Sequence, residues 1–391
     1  MRVSILGTRG IPRKHGGFET FAEDLSLFLT SRNHKVTVYC QVSATEQGGE
    51  DEWRGVRRIL IPSPNTPFGT IFFDWAAILH SFWEGGTILT LGYNTGLFNF
   101  VYRLRGLPNV MNMDGLEWKR KKWSRLQRAW LWFNELAGAK AATHLVADHP
   151  EIGQHLQRHT SSRKITVIPY GAHRVTSASM DAIRQFGLEP KCYYLVIARP
   201  EPENSVLEIV KAFSARIRES TLVVLGAYDG DHNEYHRQVK SAANSNVVFL
   251  GPIYERNIVE SLRFHAKAYL HGHTVGGTNP SLVESLAVGN AIVAHDNQFN
   301  AWVAGESGRY FRGADDLRDI LDSLESEPNQ LFAMEAGSRK RHYQMFMQDN
   351  VLQAYERLLL RATHGEVLLS VEQPVYQSRV QVETVRGRTH G

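Results

Sequence analysis

The most constraining feature of the chain is an alternation of short apolar runs with amphipathic stretches, which occurs once and then starts again. Residues 2–6 and 35–40 are strand-length apolar runs flanking residues 17–30. In 17–30, Phe18, Phe21, Ala22, Leu25, Phe28 and Leu29 share one face of a 3.6-residue helix. Two such runs around one helix form a βαβ unit, which demands parallel strands and a right-handed crossover. Further strand-like runs at 88–91, 110–113, 142–147 and 165–168 extend this sheet. The pattern then restarts, with strands at 193–198, 221–225, 247–250, 268–270 and 291–295. Helical stretches at 206–215, 232–243 and 255–265 separate them, and 315–324 and 329–361 read as helices. The fold class is therefore α/β: two Rossmann-like doubly wound parallel-sheet domains facing a central cleft. A chain of 391 residues has room for both cores.

Composition closes several other routes. Two cysteines, Cys40 and Cys192, sit in different halves, so a disulfide framework is not expected, and a reducing, cytoplasmic setting is. The first apolar run is too short for a signal peptide. The best candidate for a membrane span, 71–83, is short and contains Asp74 and His80. A net charge of +4 is mild, and no nucleic-acid-binding module is present.

Four stretches carry candidate chemistry. In 271–284, glycines lead into a helix with Asn279 as N-cap and Pro280 at its first position. Such a loop presents backbone N–H groups and a positive dipole end to an anion, above all a phosphate. Glu284, one turn in, can accept hydrogen bonds from sugar hydroxyls. The loop 7–17 follows the first strand and ends in Gly16 and Gly17, with Arg9, Arg13, Lys14 and His15 adding positive charge. It lacks the dinucleotide spacing Gly-x-Gly-x-x-Gly. Arg199 follows the strand that opens the second unit, where its planar fork suits a diphosphate. Asp114 ends another strand, a place where a carboxylate can orient an acceptor hydroxyl or take its proton. Beyond it, four tryptophans among lysines and arginines (118–133) read either as helix core or as an interfacial surface for anionic lipid. Asp229-Gly-Asp231 matches a metal-binding Asp-x-Asp pattern but falls in a polar turn. His271 and His273 lie on one face of an extended segment without a third ligand nearby.

Together, Gly7-Thr-Arg-Gly-Ile-Pro with Gly16-Gly-Phe-Glu19, Asp114-Gly-Leu-Glu-Trp-Lys-Arg120, Arg199 with Pro202-Glu-Asn204, and 272–284 resemble the two-domain GT-B glycosyltransferases of family four. Within that family the chain looks most like the bacterial rhamnosyltransferases of surface polysaccharide synthesis. The resemblance spans residues 1–361. It implies an N-terminal acceptor-binding domain at 1–171 and a nucleotide-sugar-binding domain at 172–340. A C-terminal helix at 341–361 crosses back to the first domain, and a polar tail fills 362–391. It assigns the donor to Gly16, Gly17, Arg199, Asn204, Gly276, Gly277, Thr278, Asn279, Pro280, Ser281, Leu282 and Glu284. The acceptor falls to Arg9, His15, Asp114, Glu117 and Arg120, and Arg199, Glu284 and Asp114 are the catalytic candidates. Two positions depart from the family. Gly276 replaces the first glutamate of its paired-glutamate motif, and Asn204 replaces a lysine.

The resemblance thus implies an enzyme that transfers a sugar, L-rhamnose from dTDP-rhamnose, onto a saccharide or lipid-linked saccharide acceptor. Retention of configuration, no metal and no cofactor are expected, with peripheral contact with an anionic membrane at its inner face. The alternatives are transfer of another hexose from a UDP or GDP donor, an epimerase or phosphorylase of similar architecture, and a non-catalytic nucleotide-sugar-binding protein.

Overall fold

The computed structural model describes residues 1–13, 16–120 and 122–365. The first sheet contains β1 (Arg2–Leu6), β2 (Lys35–Val42), β3 (Gly49–Trp53), β4 (Val56–Pro62), β5 (Thr87–Leu91), β6 (Asn109–Asn112), β7 (His144–Ala147) and β8 (Ile165–Val167). Their order is β3-β4-β2-β1-β5-β6-β7-β8, and only the edge pair β3–β4 is antiparallel. The second sheet holds β9 (Tyr193–Ile197), β10 (Thr221–Leu225), β11 (Val247–Gly251), β12 (Ala268–His271), β13 (Ala291–His295) and β14 (Arg309–Phe311), in the order β11-β10-β9-β12-β13-β14, all parallel. Strand order reverses between β1 and β5 in the first sheet and between β9 and β12 in the second. Ligands of doubly wound sheets lodge beyond the strand ends at such switch points. The loops there are 7–16, 92–95, 198–205 and 272–279.

The strands nearest each switch point are buried on both faces and read as continuous apolar runs. One face of the first sheet is covered by Gly17–Ser31 and by Gln348–His364. The latter contributes Val351, Leu352, Tyr355, Leu358 and Leu359 to that core. The C-terminal helix thus returns to the first sheet after the second is complete. The expected single helix at 329–361 is instead two, Asn329–Met345 and Gln348–His364. The break has a tertiary cause. Ala172 N–H donates to Phe346 O at 2.9 Å, and Gln348 N–H donates to Ala172 O at 3.1 Å, so the two segments passing between the sheets are stitched together. The other face of the first sheet carries Pro67–Glu84, the 3-10 helix Gly96–Arg105, and Arg125–Ala141. The run 71–83 thus lies within a surface helix, and no helix among the described residues is long and apolar enough to cross a membrane.

Candidate functional site

Both sheets aim their strand ends at one place. The helix Pro280–Ala287 begins where the sequence indicates: the Asn279 side chain accepts from Ser281 N–H at 2.9 Å, and Pro280 sits in the first turn. Opposite it, the helix Gly17–Ser31 starts at Gly16 with no side-chain cap. A Cβ on Gly17 would touch Pro280 Cγ at 3.6 Å, so the two helix N-termini meet nose to nose. Each carries a partial positive charge, and their convergence is most favourable with an anion nearby. Glu19 supplies part of that charge from within, its carboxylate lying against Gly16. Gly115 completes the contact from the first domain: a Cβ there would stand 3.4 Å from the peptide between Gly276 and Gly277.

The loop around Asp114 is fixed by buried polar groups. Tyr93 Oη donates to Gly115 O at 3.1 Å and accepts from Glu117 N–H at 2.9 Å. Asp114 adopts φ 48°, a left-handed conformation that aspartate tolerates better than most residues. Its N–H donates to Asn112 Oδ1 at 2.8 Å, and Asn112 Nδ2 donates to Tyr355 Oη at 2.8 Å. The returning helix therefore helps set the position of Asp114. Burial, reinforced by Glu117, pushes the Asp114 carboxyl up to about 6.

The structure adds a residue that the sequence reading did not single out. Asp148 follows β7 and is buried. Its Oδ2 accepts Thr278 N–H at 2.9 Å, and its carbonyl accepts the Thr278 hydroxyl. Oδ1 has no hydrogen-bond partner among the described residues. Burial, with Asp114 nearby, pushes this carboxyl up to about 8. Near pH 7 Asp148 is therefore mostly protonated and Asp114 mostly ionised. Environments that drive two acids apart in this way mark sites with divided proton roles. Asp148 was legible in principle, because it ends a strand just as Asp114 does.

Several expected donor contacts take other positions. The Thr278 N–H and hydroxyl are both taken up by Asp148. The Asn204 side chain, buried, donates to Arg199 O at 2.8 Å and so shapes the 199–204 turn rather than facing the cleft. Ser281 and Leu282 N–H groups bond to Asn279, so the helix end acts here through its dipole more than through free amides. Glu284 is paired with the buried Arg263 at 2.7 Å, and Arg263 also donates to Ser281 Oγ at 2.9 Å. Arg263 lies on Arg256–His265, and no local pattern marks it. Gly276, at φ 142°, faces open space where a Cβ would stand.

Cationic groups reach the cleft from both sides. Arg199 is exposed at the end of β9, and Arg120 pairs with Glu117 at 2.7 Å while lying 4.0 Å from Glu203 of the second domain. Burial, with Arg120 and then Arg199 nearby, drives His273 down to about 3, so it is neutral. Its ring stacks on that of His271 at 4.3 Å. Arg9 is exposed. Arg13 is drawn toward Glu23 and Asp24, at 3.8 and 3.9 Å, which removes it from the expected basic cluster. His15 and Lys14 lie outside the described residues, as does the tail beyond 365. Asp229 forms a turn with His232 and stands apart from any metal-capable cluster among the described residues. The one such group there is Glu135, His155 and His159, in which Glu135 bonds His155 at 2.7 Å and Trp118 at 2.9 Å.

Residues 1–173 match the family described as "Domain of unknown function (DUF1972)". No curated protein matches the chain in sequence. Among solved structures, sucrose-phosphate synthase from Thermosynechococcus elongatus is similar with a TM-score of 0.77 and 16% identity, over 93% of this chain and 99% of that one. HepE from Anabaena in complex with UDP aligns with a TM-score of 0.69 and 14% identity, over 92% and 99%. An α,α-trehalose-phosphate synthase (UDP-forming) from Burkholderia xenovorans, in complex with glucose-6-phosphate, gives 0.70 and 12%, over 92% and 100%. These likenesses cover 92–93% of the chain, and the chain has the GT-B fold.

Proposed function

We propose that the protein is a glycosyltransferase that carries a sugar from a nucleoside diphosphate donor to a saccharide hydroxyl. The observation that supports this most is the meeting of two helix N-termini, Gly17–Ser31 and Pro280–Ala287, at the switch points of both sheets. A diphosphate between them gains from both dipoles. Solved structures of similar fold hold UDP, UDP with glucose, and UDP-glucose, which supports a nucleotide-sugar donor.

In the reaction, the bond from the anomeric carbon to the diphosphate oxygen breaks, and the acceptor oxygen bonds to that carbon. Negative charge grows on the leaving diphosphate, where the two dipoles and Arg199 stabilise it. Asp114, ionised near neutrality, accepts a hydrogen bond from the acceptor hydroxyl and orients it. On a retaining course the hydroxyl proton passes to the leaving diphosphate on the same face, with no protein nucleophile and no metal. We assign the donor as dTDP-L-rhamnose and the acceptor as a saccharide, free or lipid-linked. The support is the motif resemblance together with glycine at 276, which presents no side chain to the transferred sugar. The UDP-bound structures of similar fold favour a UDP-hexose as the second reading.

A melting-temperature panel of nucleotide sugars and nucleoside diphosphates tests the donor. Stabilisation by dTDP and dTDP-rhamnose alone supports the first reading, and stabilisation by UDP alone selects the second. No shift with any nucleotide sinks the donor site. Arg199→Ala is expected to lose most turnover while remaining folded. Stabilisation without turnover on any acceptor would leave a binding protein.

A further inference from the structure

Among the described residues, sixteen large hydrophobic side chains are exposed, and eleven of them lie on three adjacent helices: Pro67–Glu84, Gly96–Arg105 and Arg125–Ala141. Consecutive right-handed crossovers from β4 through β5 and β6 to β7 put all three on the same face of the first sheet. The 3-10 helix packs against both neighbours. On Pro67–Glu84, Phe68, Phe72, Trp75 and Trp83 fall within roughly 80° of one another at 100° per residue, opposite the buried Phe73 and Ala77. Phe68 is 84% exposed and Trp83 74%. On Arg125–Ala141, Leu126, Trp130 and Phe133 form a second outward stripe by the same spacing, with Leu126 85% exposed. Leu104, 80% exposed, stands on the helix between. Scattered exposed apolar residues need no explanation, but a layer this concentrated does.

Charge identifies the occupant. The three helices contain only three acidic residues, and each has an intramolecular partner: Asp74 with Thr95, Glu84 with Arg57, and Glu135 with His155. Arg103, Arg105, Arg125, Arg128 and Lys140 are exposed on the same helices. A groove lined by Trp118, Arg125, Arg128, Ala129 and Trp132 opens beside the second stripe. Aromatic and aliphatic side chains ringed by uncompensated cations suit the interface of an anionic bilayer. A second copy of this face would bring like charges together.

We propose that this three-helix layer docks the protein on an anionic membrane surface. Of the four tryptophans expected at such a surface, Trp130 and Trp132 belong to this layer, whereas the indole N–H groups of Trp118 and Trp123 turn to carboxylates of the protein. Trp118 donates to Glu135 at 2.9 Å and Trp123 to Glu117 at 3.3 Å, and both lie against a buried cluster. Arg125–Ala141 starts immediately after the Asp114 loop. Docking on its outer face therefore brings the acceptor side of the cleft close to the lipid headgroups.

Flotation of the full-length chain with phosphatidylglycerol–phosphatidylcholine vesicles tests this. Co-flotation is expected at low salt, with a drop of tenfold or more in pure phosphatidylcholine or at 0.5 M salt. Phe68→Ser with Trp83→Ser is expected to weaken partition at least tenfold, and Arg125→Gln with Lys140→Gln to reduce it and flatten its salt dependence. All four positions are exposed, so the melting temperature and any nucleotide-induced shift serve as controls and are expected to stay unchanged. No co-flotation of the wild type overturns the proposal, as does wild-type partition by the Phe68/Trp83 variant. A dimer that the same variant disrupts, without vesicle binding, overturns it in favour of self-association. The nucleotide shift is read separately, so failure here leaves the donor assignment untouched.

Discussion

Replacing Asp148 by asparagine should make the protein more stable, and the gain should depend on pH. In the folded chain the carboxyl is pushed from 3.8 up to about 8, mainly by burial. The unfolded chain ionises near 3.8, so below that pH neither state bears the charge and no cost arises. As pH rises from 4 to 8, the unfolded state releases a proton that the folded state keeps, and folding is penalised by about 1.4 kcal/mol per unit. Above pH 8 the penalty is constant. At pH 7 it spans roughly three units, or about 4 kcal/mol at most. Asparagine carries no such penalty. Its carbonyl oxygen still accepts Thr278 N–H, now at 2.9 Å. Its amide occupies the place of Oδ1, which is already without a partner, so that cost nearly cancels. The expected result is a melting temperature several degrees above wild type at pH 7 to 8, converging on wild type by pH 4. Thermal melts across pH 4 to 9 measure this directly. A constant difference across that range would refute the burial argument. In turnover assays, the variant should also hold activity further into the alkaline range, because wild-type Asp148 there gains a second negative charge beside Asp114.

Two more outcomes follow from the same corner of the cleft. Gly277→Ala would drive a methyl group into both Asp148 carboxylate oxygens, and the backbone loop must shift. Overpacking of this kind costs about 1–3 kcal/mol, so calorimetry should show donor nucleotide binding about tenfold weaker or more. Asp114, ionised only above about 6, should give a kcat/KM profile that falls about tenfold per unit on the acid side of that value. Asp114→Asn should lower the rate about a hundredfold and abolish that limb, and an unchanged limb would assign it to another group.

What the sequence showed depended on how local the cause was. The cap at Asn279-Pro280 and the helix after it are written in adjacent residues, and the structure places them as read. The edge hairpin β3–β4 was hidden by its turn. Arg54 and Gly55 both take positive φ, 53° and 81°, where Asn-Gly is the usual signal and arginine is not. Its pairing is sustained instead by the charge ladder of Arg57 with Glu50 and Arg58 with Asp51. The break at Phe346 and Met347 has no glycine or proline to announce it, since it follows from pairing with Ala172. Likewise, Asp148 and Thr278 are far apart in sequence, so their contact belongs to the assembled fold alone. The exposed aromatic layer was half legible. The tryptophan-rich stretch was visible, but which of its rings turn inward depends on Glu135 and Glu117.

The adjacent glycines 276 and 277 are required for different reasons, and this bears on the missing glutamate. Gly277 is required by space, because the Asp148 carboxyl fills the volume of any side chain. Gly276 has open space around it but stands at φ 142°, which L-residues rarely adopt. Restoring a glutamate at 276 therefore means changing the backbone path. That path is pinned two residues later by Thr278 on Asp148 and two residues earlier by Thr274, whose N–H donates to Glu203 O at 2.9 Å. The absence of the glutamate is thus built into the loop between two anchors, one on each domain. Groups that recognise the transferred sugar must come from around this loop rather than from position 276. Candidates beside it are Asp114, whose neighbour Gly115 faces the 276–277 peptide, Glu203, whose carbonyl holds Thr274, and His273, next to Thr274 in the chain.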